Sequence, residues 1–285
     1  MEPLIWSSAG DIPALWHRFE RDGYCWVRME GAAQLARSAP QQLAERVYGF
    51  TPQVTQVETL GFHEDSPKPQ IVHHPYLPPA VQMLVCTQQA TEGGASLVVD
   101  TWDILGKLRA RRKPLFARLF EAQRLVRFPG FMWCGATFSL RGGHFVCVHD
   151  PLPLSSDLVG RAFQTLIDRE APVQIRLETG DLLITNNHRT MHARTPYTDI
   201  RRQFVRIVSW CQRPLLAPEE YVGIATSVAE RRADRTRDQP MWIRKRLGLG
   251  SERYASDDLL AHYRGELKED LGQQAQLIRA HAEMA

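Results

Sequence analysis

The sequence predicts an α+β fold in which many short strands, arranged around a few helices, form a β-sandwich or jelly-roll barrel. Two observations support this prediction. The strand-like runs are short and are separated by turn signals such as Glu92-Gly93-Gly94 and Arg141-Gly142-Gly143. Helical spacing of apolar residues is confined to a few segments, and the character of the chain becomes helical and charged after Arg213.

The individual elements follow from apolar spacing and turn residues. Helices are predicted over 12–22, 40–48 and 102–122, with Pro114 interrupting the third one. Ser155 or Ser156 is expected to cap a fourth helix that contains Leu158 and Phe163. Strands are predicted at 24–27, 80–90, 95–100, 124–128, 131–140, 144–149, 173–177, 181–185 and 203–210, and a further strand carries His192.

The chain is predicted to be one domain over residues 1–285, with a core at about 20–213 and a helical appendage at about 217–285. The appendage contains a basic run from Arg231 to Arg246, and Ser256-Asp257-Asp258 is typical of a helix start. Two roles are open for it. It either covers the mouth of the barrel or forms a homo-oligomer interface, and the sequence favours neither.

Composition excludes several classes of protein. The formal charge of +3 is too small to imply nucleic-acid binding. No apolar stretch approaches the ~18 residues that a membrane helix needs, and the N-terminus does not resemble a signal peptide. The 5 cysteines are widely spaced, which favours buried free thiols over disulfides or a zinc site. We therefore expect a cytoplasmic protein with no nucleic-acid or membrane partner.

The strongest functional signal is a set of candidate metal ligands. Among the 10 histidines, only His63 is followed by an aspartate two positions later, Asp65. Residues two apart on an extended segment point the same way. His192, after the Gly180–Thr190 segment, supplies a second imidazole. Two imidazoles and one carboxylate are the ligands of non-haem Fe(II) sites that activate oxygen, although each motif alone occurs widely.

Two arginines follow His192 and strengthen this interpretation. Arg202 and Arg206 lie where the chain is predicted to turn and run back towards the histidine. An arginine in an apolar strand needs a charged partner, and the carboxylate of an acidic co-substrate would provide a bidentate one. The alternative is a cross-strand arginine paired with Asp181 or Glu178.

These segments resemble the taurine dioxygenase-like superfamily of Fe(II)/2-oxoglutarate-dependent oxygenases, in the style of γ-butyrobetaine hydroxylase and clavaminate synthase. The resemblance is carried by four segments in order, over about residues 60–211. They are His63-Glu64-Asp65-Ser66-Pro67, the strand from Pro78 to Cys86, Glu92-Gly93-Gly94-Ala95-Ser96, and the segment from Gly180 to Arg194.

The resemblance implies a double-stranded β-helix (jelly-roll) core with flanking helices. It implies Fe(II) held by His63, Asp65 and His192, 2-oxoglutarate gripped by Arg206, and O2 as the oxidant. Two further residues complete the implied set: Ser96, which helps Arg206 with its hydroxyl, and Arg202, a second basic group near co-substrate or substrate. The implied reaction is hydroxylation of an unactivated C–H bond of a small molecule, such as an amino acid or amine derivative, with release of succinate and CO2.

The chain departs from the family in two places. The segment between Asp65 and Pro78 is longer than usual, and we interpret its extra residues as a substrate-facing loop. Asn186-Asn187-His188 stands where relatives often have Asp-Asn, and we expect it to brace the turn. Two other functions stay open at this point: a zinc hydrolase with the same ligands, and a barrel that binds a partner without catalysis.

Overall fold

Seven α-helices and thirteen strands are formed by the residues that the structure, a computed structural model, describes. These residues are 2–52, 54–60, 78–128, 131–141, 143–151, 153, 157–199, 201–211 and 213–237. They group into two compact units. The first unit contains described residues within 2–60, 79–107 and 165–216, and the second contains residue 78 and those within 108–164 and 217–237.

The bounds of the elements are as follows. The helices are α1 Ile12–Asp22, α2 Ala32–Ser38, α3 Pro40–Tyr48, α4 Thr101–Arg111, α5 Lys113–Glu121, α6 Leu158–Ile167 and α7 Glu219–Arg237. The strands are β1 Leu4–Trp6, β2 Tyr24–Met29, β3 Val54–Leu60, β4 Val81–Gln88, β5 Ser96–Asp100, β6 Arg124–Phe128, β7 Phe131–Gly135, β8 Phe138–Arg141, β9 His144–Cys147, β10 Val173–Ile175, β11 Asp181–Asn186, β12 Thr190–Arg194 and β13 Gln203–Trp210. No described helix is long and apolar enough to cross a membrane.

Most predicted elements are confirmed, and a few predictions were wrong in detail. The predicted strand 131–140 is two strands, because the chain turns between β7 and β8. Asp157, rather than Ser155 or Ser156, supplies the capping oxygen of α6, since its Oδ1 accepts a hydrogen bond of 2.8 Å from Gly160 N. β1, α2 and β3 were not predicted. The expected helix start at residues 256–258 lies outside the described residues.

The first unit is built on two antiparallel sheets. A six-stranded sheet has the order β1-β2-β11-β4-β13-β3, in which only the β1–β2 pair is parallel. A three-stranded antiparallel sheet has the order β10-β5-β12. Neighbours in both sheets are distant in sequence, as the predicted barrel type requires. The class is therefore α+β, as predicted.

The two faces of the six-stranded sheet bury different partners because side chains alternate along a strand. On one face, α1, α2 and α3 pack against the sheet, and the contacts include Phe19, Val47 and Met83. On the other face, Phe204 of β13 packs with Val98 of the three-stranded sheet. The first unit is thus layered as helices, large sheet and small sheet, with a core in each interval.

Arg189 joins three parts of the first unit at the turn between β11 and β12. Its Nε lies 3.0 Å from Oδ1 of Asp100, at the end of β5. Its two terminal nitrogens donate to the carbonyls of Glu20 and Arg21 at the end of α1, at 2.7 and 3.0 Å. Its guanidinium carbon also stands 4.4 Å from the ring centroid of Trp102. One side chain therefore satisfies carbonyls at the end of α1 and fixes the turn that precedes His192.

We expect Arg189→Met to lower the free energy of unfolding by about 3 kcal/mol, because it leaves the Asp100 carboxylate and two helix carbonyls without their donor. Urea denaturation followed by circular dichroism measures this. The matched control is Arg21→Met, which removes an exposed ion pair with Asp22 and should cost less than about 1 kcal/mol. Equal effects of the two substitutions would contradict this account of Arg189.

The second unit has an aromatic core. Phe138, which is fully buried, contacts Phe120, Phe145 and Phe163 at centroid distances of 5.6–5.9 Å. Tyr221 of α7 lies 6.2 Å from Phe145, so this first helix of the predicted appendage packs against the strands of its own unit. Such ring pairs add to the stabilisation that burial provides.

A buried polar cluster lies beside this core. Arg124, which is 4% exposed, forms an ion pair of 2.8 Å with Asp157 and approaches Nδ1 of His149 at 3.4 Å. His149 Nε2 lies 2.8 Å from Oε1 of Gln164. Because guanidinium nitrogens only donate, Nδ1 of His149 accepts and Nε2 donates. Burial lowers the pKa of His149 to about 4, against the opposing effect of the hydrogen bond that its Nε2 donates to Gln164.

This cluster predicts a pH dependence of stability. Between about pH 6.5 and 4 an unfolded His149 is protonated and the folded one is not, so the free energy of unfolding falls as the pH falls through this window. For one imidazole the loss between pH 7 and 5 is at most about 2 kcal/mol. Urea titrations at both pH values should show a smaller loss in His149→Gln than in the unsubstituted protein. An unchanged difference between the two pH values would contradict the prediction.

Candidate active site between the two sheets

His192 lies in the middle of β12, on the three-stranded sheet. Its partner across the β12–β5 pair is Val98, which belongs to the core between the two sheets. Residues directly opposite each other in an antiparallel pair project to the same face. His192 therefore points towards the six-stranded sheet, as the predicted iron ligand must if the site lies inside the fold.

The imidazole meets Gln82, a residue of the six-stranded sheet. Nε2 of His192 lies 3.1 Å from Nε2 of the Gln82 amide, and Gln82 is only 4% exposed. An amide nitrogen donates, so the imidazole Nε2 is assigned as acceptor and its proton to Nδ1. His192 thus directs the lone pair of Nε2 into the space between the two sheets.

The surroundings of His192 keep its ring neutral. Desolvation lowers the pKa of the imidazole to about 4, and the positive charge of Arg206 acts in the same direction. Within the described part of the chain the side chain is nevertheless exposed. The ring is neutral at pH 7, which is the form that binds a metal.

Arg206 lies on β13, half-buried, with Leu84 of β4 opposite it. It lies two residues from Phe204, which packs in the core between the sheets, so Arg206 projects to the same face. The alternative partners from the sequence analysis are occupied elsewhere: Arg28 binds Asp181 at 2.7 Å and Glu178 at 2.9 Å. Arg206 therefore faces the interval between the two sheets, as His192 does.

Ser96 begins β5 and is 3% exposed. It lies two residues before Val98 and therefore projects to the same face as Val98 and His192. In the β12–β5 register it stands opposite Arg194, one diagonal step from His192. Three of the predicted site residues, His192, Arg206 and Ser96, thus lie on the facing surfaces of the two sheets.

Arg202 precedes β13 and occupies a different environment. It is 5% exposed, and its guanidinium carbon lies 3.9 Å from the ring centroid of Phe204 and 4.6 Å from that of Tyr197. Nη2 donates to the carbonyl of Gly94 at 3.4 Å. A Cβ on Gly94, whose φ is +65°, would lie 2.8 Å from Nε of Arg202, so only glycine permits this approach. Burial lowers the pKa of Arg202.

We expect Arg202→Met to lower the free energy of unfolding by about 2 kcal/mol, because two aromatic faces lose their cation and Gly94 loses a donor. Chemical denaturation of the metal-free protein measures this. Arg46→Met, on an exposed position of α3, is the matched control and should stay within about 0.5 kcal/mol. Wild-type stability of Arg202→Met would show that the aromatic sandwich contributes nothing.

The turn between β11 and β12 is braced as predicted for Asn186-Asn187-His188. Asn187 donates from its backbone to Ala80 at 3.0 Å and from Nδ2 to Pro79 at 2.9 Å. His188 N donates to Oδ1 of Asn186 at 3.1 Å. This turn thereby ties the start of β12 to the start of β4, which carries Gln82.

His63 and Asp65, the other two predicted ligands, lie outside the described residues, as does the long segment that follows them. Within the described ranges, no three His, Cys, Asp or Glu residues group as a metal site, as expected when only one predicted ligand is included. Gln82 was not predicted. Its signal in the sequence is a polar residue inside the apolar run from Val81 to Cys86.

Comparison with known proteins now identifies the family. The family model of "Taurine catabolism dioxygenase TauD, TfdA family" matches residues 30–130 and 136–208, which is more than half of the chain. This chain belongs to that family. It is a 2-oxoglutarate-dependent non-haem iron oxygenase that uses Fe(II), 2-oxoglutarate and O2. Membership decides against the zinc hydrolase and against the non-catalytic barrel.

Two solved structures have a fold similar to that of this chain. One is asparagine oxygenase in complex with Fe(II), 3-hydroxyasparagine and succinate, with a TM-score of 0.51 at 16% identity over 71% of this chain and 78% of that one. Another is the non-haem iron oxygenase OrfP in complex with Fe, with a TM-score of 0.50 at 15% identity over 71% and 79%. At these identities the likeness is one of fold.

The described part of the site fits an iron ion. A neutral imidazole with its Nε2 lone pair directed between the sheets is a suitable nitrogen ligand, and a nearby guanidinium suits an acidic co-substrate. The donor types that the sequence supplies for the remaining positions, an imidazole and a carboxylate, complete a set that leaves coordination positions open.

Proposed function

We propose that this oxygenase hydroxylates an unactivated C–H bond of a small molecule, and that His63, Asp65 and His192 hold its Fe(II). Arg206 binds the distal carboxylate of 2-oxoglutarate, assisted by the hydroxyl of Ser96. When bound, the iron supplies the oxygen chemistry that releases succinate and CO2. The protein's own side chains bind and orient the reactants and exclude water.

The observation that carries this proposal is the proximity of Arg206 to His192. These residues lie on the facing surfaces of different sheets, and the charge of Arg206 adds to desolvation, the larger cause, in lowering the pKa of His192. A metal at the imidazole and a carboxylate at the guanidinium would therefore share one space. A bound 2-oxo acid needs this arrangement, because one end of the molecule would bind the metal while the carboxylate at its other end binds the guanidinium.

The proposed core is a double-stranded β-helix. Its support is the pair of antiparallel sheets that pack face to face through Val98, Leu183 and Phe204. Ser96 and His192 then come from the small sheet and Arg206 from the large one, so each sheet contributes to one cavity.

For the substrate we propose an amino acid or amine derivative. The supporting observation is that asparagine oxygenase, a protein of similar fold, was crystallised with 3-hydroxyasparagine. A carboxylate at position 65 favours hydroxylation, since halogenating relatives leave that ligand position empty. Arg202 stays a candidate for a second basic group near co-substrate or substrate.

The test is a screen of amino acids and amines with Fe(II), ascorbate and O2, in which oxygen-dependent formation of succinate from 2-oxoglutarate is measured by mass spectrometry. We expect at least one substrate to stimulate succinate release. His192→Ala should abolish it, because the metal loses a ligand. Arg206→Met should raise the KM for 2-oxoglutarate by about tenfold to a hundredfold, because a charged hydrogen-bond partner is lost.

Arg46→Met, in which an exposed arginine of α3 is replaced, serves as the control. It should leave succinate release and the KM for 2-oxoglutarate unchanged. Two results would refute the assignment of residues. Full activity of His192→Ala would exclude it as a ligand, and an unchanged KM for 2-oxoglutarate in Arg206→Met would exclude the proposed carboxylate contact.

A further inference from the structure

Gln82 is a buried amide at a position where packing alone would be served by an apolar side chain. On the face of β4 that meets the three-stranded sheet, its neighbours are Leu84 and Cys86, and Gln82 itself is 4% exposed. Burying an amide is unfavourable unless its donors and acceptors find partners. The partner of Gln82 in this structure is Nε2 of His192, at 3.1 Å.

That contact conflicts with the role of His192 in the proposed function. A neutral imidazole has one lone pair on Nε2, and here it accepts the amide N–H. A metal bound at the same nitrogen would take this lone pair. The hydrogen bond to Gln82 and the metal bond therefore exclude each other, and metal binding would leave the amide close to the metal and without its acceptor.

Among the described residues, the recorded partner of the Gln82 side-chain amide is His192, and what binds with the metal would supply a second acceptor. Gln82 stands opposite Val208 on β13, and Val208 is two residues along the same face from Arg206. Arg206, in the proposed function, brings the carboxylate of 2-oxoglutarate to this surface. Oxygens of a metal-bound 2-oxo acid accept hydrogen bonds, and they would satisfy the displaced amide.

We propose that Gln82 exchanges partners: it holds His192 in the metal-free protein and donates to an oxygen of the metal-bound 2-oxo acid in the loaded one. Gln82 is then a co-substrate-binding residue that neither the predicted ligands nor the predicted arginines include. This inference rests on the proposed function of His192 and Arg206. It predicts that removal of the amide strengthens the binding of Fe(II) and weakens the binding of 2-oxoglutarate.

The test compares Gln82→Leu with the unsubstituted protein in two anaerobic titrations. In the first, Fe(II) is added without co-substrate and binding is followed by calorimetry. We expect Gln82→Leu to bind about twofold to fivefold more tightly, because no hydrogen bond to His192 must be broken. In the second, 2-oxoglutarate is added to the Fe(II) protein and the visible charge-transfer absorption is followed. We expect about fivefold weaker binding and a shifted band.

Opposite changes in the two affinities are the signature of partner exchange, since a variant that merely loosens the fold would weaken both. Gln203→Leu, at an exposed position of β13, is the matched control and should alter neither titration. If Gln82→Leu does not fold, judged by circular dichroism, the two titrations are repeated with Gln82→Asn. Its side chain is one methylene shorter, so its amide cannot reach His192, and the same opposite changes in the two affinities are expected.

Each contrary outcome has a separate meaning. Wild-type affinity and an unchanged band for 2-oxoglutarate in Gln82→Leu would overturn the proposed contact. Weaker binding of Fe(II) would do the same, because the amide would then support the metal site and not compete for it. Failure of the unsubstituted protein to bind Fe(II), or to develop the band, would refute the proposed function itself, and the inference with it.

Discussion

The register of β4 between β11 and β13 is the constraint on which the site depends. On these strands, successive side chains face either the helices or the small sheet. Met83 and Ile207 pack with the helices, whereas Gln82 and Arg206 project to the opposite face. A slip of one residue would exchange these sets and place a guanidinium and an amide in an apolar core. The two large cores therefore specify the orientation of the functional side chains as well as the stability of the fold.

The far ends of the site strands are held by a second set of contacts, between the β4–β5 and β12–β13 connections. Thr195 N donates to the carbonyl of Ala95 at 2.8 Å, and Gly94 N donates to that of Pro196 at 3.2 Å. Asp199 accepts hydrogen bonds from Arg201 and from the backbone and the hydroxyl of Thr91, and these bonds, those from Arg201 above all, hold the pKa of its carboxyl well below its usual value. Ser96 lies on β5, which begins at the first of these connections, and His192 lies on β12, which ends at the second. The contacts therefore limit how far either residue can move.

Much of the fold could be predicted from the sequence because its signals are local. Proline at the start and glycine at the end delimit α3, and its bounds were predicted as 40–48. α2 has neither signal: its N-cap is Gly31, and no side chain caps it. β1 has only three residues and β3 lies at the sheet edge, so tertiary pairing rather than pattern defines them.

The candidate site, like the fold, was predicted only in part. The proximity of His192 and Arg206 was predicted from a turn and a return strand after His192, although the two residues lie on different sheets. The contact of Gln82 with His192 was not, because it depends on how one sheet packs on the other. A polar residue in a strand ordinarily indicates the solvent face, whereas Gln82 is buried and meets His192 of the small sheet. The contact between Gln82 and His192 thus depends on long-range packing, which the periodicity of the sequence does not reveal.

The placement of Arg206 also links the two halves of the proposed chemistry. Desolvation is the larger cause of the lowered pKa of the His192 imidazole, and the positive charge of Arg206 acts in the same direction. Protonated histidine cannot bind iron, so the same guanidinium that would attract an acidic co-substrate keeps its neighbour available as a ligand. A neutral donor such as an amide could hydrogen-bond a carboxylate but would not shift the imidazole in this way. In the proposed function, arginine at this position would serve the metal and the co-substrate together, whereas lysine would offer a carboxylate only a point charge in place of a bidentate pair.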